Sequence, residues 1–244
     1  MGLDVYVGSF TRYYAGQWET IVQQAGRQIG MVAQVVRSQP DPDDALTDPD
    51  EIRQSVLAWR AGIGQQLRQA GLVSSELAWR EDVASPYYTD KPAWDCYGAL
   101  QLLAAHEEAP SRLSWRNRYP KRLAEGWNRD RILTRLSNGM TQCRYSHLYG
   151  VEVWLPLEFP SIFEAPLPNG HPTRFGSSPQ LLTQLHELNR RTYQGTPDGR
   201  AAWRAEQPDG STGPFEPRAK TGLAVMLDLT DHAVRERLPM LLDY

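Results

Sequence analysis

The chain is predicted to be an α+β fold, mainly helical, with a small and largely antiparallel sheet. Stretches with the three-to-four-residue apolar spacing of a buried helix face outnumber those with the two-residue alternation of a strand. The clear strands sit at the N terminus and near residues 150–158, and they do not alternate regularly with helices as a parallel α/β sheet would require. No linker divides the 244 residues, so one globular domain over 1–244 is expected, with polar loops near 38–48 and 195–218.

Taken in order, Leu3, Val5 and Val7 alternate with Asp4, Tyr6 and Gly8, the pattern of a half-buried strand. The run WETIVQQAGRQIG reads as a helix ending near Gly30. A helix start follows: Asp48 as N-cap, Pro49 at the first helical position and Glu51 three residues after the cap. Ile52, Val56, Trp59, Ile63 and Leu67 form one apolar stripe, and Gly71 is a natural stop. Gly62 and Gly64 weaken this helix by about 1 kcal/mol each relative to Ala. Residues 91–108 form a largely apolar helix, with Asp90 as its cap, Pro92 in its first turn and Pro110 beyond its end. Two short helices follow over 119–139, carrying Leu123 and Trp127, then Ile132, Leu133 and Leu136. GVEVWLPLEF is the plainest strand, with Pro156 suited to its end or to a sheet edge. A turn at LPNGHP leads to a helix capped by Ser178, with Pro179 at its first position and Leu181, Leu182, Leu185 and Leu188 on its apolar face. The last stretch is helical and finishes with LPMLLDY as a short strand.

Composition narrows the function classes modestly. A net charge of −3 argues against whole-chain electrostatic affinity for nucleic acid or anionic membrane. Two cysteines are too few for a disulfide framework, and the first ten residues lack a basic leader segment, so a cytoplasmic location is expected. No apolar run has the ~18 residues of a membrane span. Phosphate-loop, dinucleotide and serine-elbow motifs are absent, and no cofactor is expected.

The stretch KPAWDCYGALQLLAAHEEAP places an acid, a thiol and an imidazole close together in sequence. On one helix, Asp95 and His106 share a face but stand roughly 16 Å apart along the axis, too far for an acid–base pair. Cys96 falls on the stripe of Ala99, Leu100 and Leu103 and reads as a small core residue. Cys143 and His147 are four apart and could join Cys96 at a zinc ion, but no paired cysteine spacing supports this and no metal is assigned.

Two charged stretches remain. Residues 41–51 hold six carboxylates, including Asp41, Asp43 and Asp44, without the spacing of a calcium loop. Residues 111–135 hold eight Arg or Lys against Glu125 and Asp130. There Arg112, Trp115, Arg116, Arg118, Tyr119, Lys121, Arg122 and Trp127 are the candidate binding residues, since arginine interleaved with aromatics serves protein hot spots and nucleic-acid stacking alike. These features lead to the expectation of a soluble macromolecule-binding protein whose partner is another protein. Its most concrete version is an immunity-type inhibitor that neutralises a bacterial toxin by direct binding. The alternatives are an enzyme (hydrolase or transferase) with a site assembled from distant Cys, His and Asp residues, and nucleic-acid binding through 111–135.

Overall fold

A computed structural model of the chain describes residues 3–30, 48–73, 77–108, 120–123, 126–138, 143–206, 208 and 213–244. Among these, six strands form one mixed sheet in the order β2-β1-β6-β3-β5-β4. β1 (Asp4–Val7) runs antiparallel to β2 (Tyr88–Asp90) on one side and to β6 (Met240–Asp243) on the other. β6 is in turn antiparallel to β3 (Val153–Leu155). β4 (Phe163–Pro166) and β5 (Pro172–Ser177) form a hairpin, and β5 lies parallel to β3. The two chain ends therefore meet in the middle of the sheet, and a helical α+β fold is what the structure shows.

Helices cover both faces. On one, α4 (Trp94–Glu108), α6 (Ser178–Arg191) and α8 (Phe215–Glu236) pack over Val5, Val7, Trp154 and Met240. On the other, α1 (Phe10–Tyr14) and α3 (Pro49–Gln69) enclose Tyr6, Val153, Leu155, Phe175 and Leu241. β1 is consequently buried on both sides along its length, not half-buried as its alternation suggested. Tyr6 supplies a large ring to the second core, and Asp4 is neutralised by Lys91 Nζ at 3.0 Å.

Where local chemistry and tertiary position agree, the elements match the expected ones. α3 begins at Asp48 and Pro49, buries Ile52, Val56, Ile63 and Leu67, and stops before Gly71, whose φ of +70° suits glycine. α2 (Ile21–Gln28) carries a complete capping box between Thr20 and Gln23.

Three boundaries differ. Asp90 is not the cap of α4: it ends β2, where its side chain accepts from the Lys91 N–H and meets Arg204 Nε at 2.6 Å. The cap of α6 is Ser177, accepting from Gln180 N, and Ser178 is already helical. The expected loop over 195–218 contains α7 (Pro197–Ala205) and the first turn of α8. Thr-Pro-Asp-Gly resembles a turn, but here Thr196 caps the helix and Pro197 sits in its first turn.

α4 and α8 cross where neither has a bulky side chain. A Cβ on Gly222 would stand 2.2 Å from the Cys96 carbonyl oxygen. Two residues after Cys96, the indole of Trp127 lies on Gly98 so closely that a Cβ there would meet it at 2.2 Å.

Candidate functional site

The reactive groups of α4 do not converge. Asp95 lies in its first turn and His106 in its last, as their spacing requires. Cys96 is buried under α8, and that burial pushes its thiol up to about 11 despite the nearby Arg218 guanidinium. His106 is also buried, which lowers its basicity, and neither ring nitrogen has a hydrogen-bond partner among the described residues.

Cys143 stands at the far end of α4, near Glu108, and burial pushes its thiol up to about 11 as well. His147, 1% exposed, has both ring nitrogens engaged. Nδ1 accepts from the Ser177 N–H at 3.0 Å, and Nε2 faces the Pro160 carbonyl at 3.3 Å. This arrangement fixes the neutral tautomer with its proton on Nε2, and burial pushes the group down to about 4. The backbone of His147 is held too, by Gln184 Oε1 and by the Trp154 indole N–H at 2.7 Å. Cys96, Cys143 and His147 are thus not brought together. Among the described residues no group of three or more His, Cys, Asp or Glu side chains could hold a metal ion.

A hub that the sequence did not signal lies under α1. Glu81 accepts from the Thr11 N–H at 2.6 Å and the Thr11 hydroxyl at 3.0 Å, and its other oxygen accepts from the Trp79 indole at 2.8 Å. Burial raises its pKa even so, because the hydrogen bonds do not fully replace water. The segment around it, residues 77–83, belongs to no strand, yet Leu77, Trp79 and Glu81 point inward while Ala78 and Arg80 point out. Side chains hold its main chain in place of a sheet ladder. Arg237, Arg60, Arg53 and Arg12 donate to the carbonyls of Ala78, Trp79, Glu81 and Val83, and the Ser9 hydroxyl donates to that of Asp82.

An open depression of about 340 Å3 lies beside β5, lined by Gly150, Glu152, Glu164, Thr173 and Arg174. Its polar groups serve one another: Glu152 accepts from Thr173 at 2.5 Å and from the Tyr244 hydroxyl at 3.0 Å, and Arg174 Nε meets Glu164 at 2.7 Å.

Of the charged candidates, Asp41, Asp43, Asp44, Arg112, Trp115, Arg116, Arg118 and Tyr119 lie outside the described residues. Lys121 and Arg122 are exposed and firmly placed. The Lys121 carbonyl accepts from Phe215 N at 3.1 Å, Arg122 bridges Pro214, and Leu123 N donates to Gly213 at 3.2 Å. Trp127 is a packing residue, half-buried against Gly98. Beyond it, Asp130 caps α5 (Arg131–Asn138) through the N–H groups of Ile132 and Leu133. Leu133 faces the core, while Arg129, Arg131 and Arg135 are exposed. The sequence marked this basic stretch but not which of its cations stand outward; the apolar spacing of Ile132, Leu133 and Leu136 was the signal that separates the two faces of α5.

No helix among the described residues is long and apolar enough to cross a membrane. Comparison of the chain with protein-family models, curated proteins and solved structures gave no match.

Proposed function

We propose that this chain is a macromolecule-binding protein that acts through its outer surface, with another protein as its partner. One observation carries the reading: Lys121, Arg122, Arg129, Arg131 and Arg135 are exposed on backbone fixed by neighbouring elements, and none has a side-chain ion pair among the described residues. Fixed backbone lowers the ordering cost of association, so such a face is suited to recognition. The state of the thiols supports the same reading, since a pKa of about 11 leaves Cys96 and Cys143 overwhelmingly protonated near neutral pH and poor as nucleophiles. The concrete version we favour is an immunity-type inhibitor that covers a toxin's working surface.

The test is purification of the tagged full chain from its native cells at physiological salt, followed by mass measurement in solution. A stoichiometric complex with a second protein supports the proposal; elution at the 27.7 kDa of the chain alone overturns it. Co-expression with the product of the neighbouring open reading frame then decides the narrower version. Growth should be arrested by that product and restored by this chain.

A further inference from the structure

Resting on the binding reading above, we infer that the outer face of α5, with Arg131 and Arg135 as its anchors and Arg129, Lys121 and Arg122 in the stretch of chain that leads to it, docks a compact acidic patch on a folded protein. Elsewhere in the molecule arginines usually end on a partner. Arg144 meets Glu187, Arg191 meets Glu107, Arg204 joins Asp90 to Asp228, and Arg235 meets Asp231. Four more hold the carbonyls of residues 78–83. Among the described residues, Arg68, Arg80 and Arg190 are scattered exceptions, whereas the cations of 121–135 are exceptions gathered in one stretch of the chain.

The sequence keeps counter-charge away from them. The flanking segments 109–119 and 139–142 contain no Asp or Glu, and residues 111–135 hold eight of the chain's 26 cations but only two of its 29 carboxylates. One of those two, Asp130, is committed to the first N–H groups of α5. Arg131 and Arg135 are one helical turn apart, with Cβ atoms ~6 Å from each other, the spacing that lets two guanidinium groups reach one acidic surface.

The occupant is a protein rather than a nucleic acid for two reasons. The chain outside this segment is strongly acidic, so a polyanion longer than the patch would run onto repelling surface, while a patch-sized partner would not. Trp127, the indole of this basic stretch among the described residues, is already laid against Gly98.

The experiment compares the native-source complex of the wild-type full chain with that of Arg131→Glu/Arg135→Glu. Arg131→Gln/Arg135→Gln and a circular dichroism spectrum serve as folding controls. Zero-length carbodiimide coupling reports which partner residues face the Lys121 amine, and a 20-nucleotide single-stranded DNA serves as competitor. Charge reversal should weaken the complex roughly tenfold or more, and the Gln pair by less. Lys121 should couple to Asp or Glu of the partner, and the DNA should not displace it. A complex unaffected by charge reversal overturns this surface but leaves the binding reading intact. Displacement by DNA, or retention of nucleic acid alone with affinity falling steeply in salt, overturns the protein partner. No complex with the wild-type chain overturns both.

Discussion

Gly222→Ala is expected to destabilise the protein although it places a better helix former in the middle of α8. In an exposed helix the change gains about 1 kcal/mol. Here the new Cβ would lie 2.2 Å from the Cys96 carbonyl oxygen, 2.9 Å from its carbonyl carbon and 3.2 Å from Leu100 Cβ, where ordinary contact begins near 3.4 Å. The obstacle at 2.2 Å is main chain and cannot rotate away, so α4 and α8 must part by more than ~1 Å at their crossing. That crossing buries Leu100, Leu103, Leu223 and Met226, and overpacking of this kind typically costs about 1–3 kcal/mol. With a backbone clash the upper part of that range applies, and the net effect after the propensity gain is a loss of about 2 kcal/mol. For a chain of this length that lowers Tm by about 4–8 °C. Gly62→Ala in α3 is the internal control, since a Cβ there meets nothing within 4 Å, and it should gain about 0.5–1 kcal/mol. The assay is thermal and urea unfolding of the three proteins side by side. If Gly222→Ala unfolds at or above the wild-type temperature, the close crossing of α4 and α8 is wrong.

Three further outcomes follow from buried polar groups. His147 is pushed down to about 4 from 6.5, so the unfolded chain binds its proton first; the stability it contributes is complete above 6.5 and is lost as pH falls towards 4. Unfolding free energies from urea denaturation across that range should drop by up to ~3 kcal/mol, and His147→Gln should flatten the curve; an unchanged slope in the variant would falsify the assignment. Glu81→Gln should cost ~1–3 kcal/mol, because an amide cannot accept from Thr11 and Trp79 on both of its ends; a neutral result in chemical denaturation would show that the hub is not formed. Both thiols should react slowly with a disulfide reagent at pH 7, Cys143 ahead of the more buried Cys96. Rapid labelling of Cys96 would contradict its place beneath α8.

How far the fold could be read in advance depended on whether the deciding forces were local. Asp48 with Pro49, and the leucines of α6, are adjacent-residue signals, and those helices stand where they were expected. The strand reading of LPMLLDY also held, but that it lies between β1 and β3 is a long-range fact with no local mark. Asp90 could have capped a helix or ended a strand; its pairing with Val5 and its contact with Arg204, both far along the chain, belong to the strand end. The same limit applies to the candidate site. Helix geometry alone separated Asp95 from His106, because both ride on one rigid element. Nothing near Glu81 foretells Thr11, and nothing near His147 foretells Ser177, since each pair joins elements distant in sequence.

The ribbon of residues 77–83 also bears on how the molecule keeps to itself. An extended stretch outside any ladder offers free carbonyls to whatever strand drifts past, and such offers are how sheets grow between molecules. Here guanidinium groups from α1, α3 and the end of α8 sit on the oxygens of Ala78, Trp79, Glu81 and Val83, leaving a newcomer fewer acceptors to begin on. Trimming Arg53 or Arg60 would therefore do more than loosen a loop: it would open a foothold for self-association, visible as light scattering that rises with protein concentration.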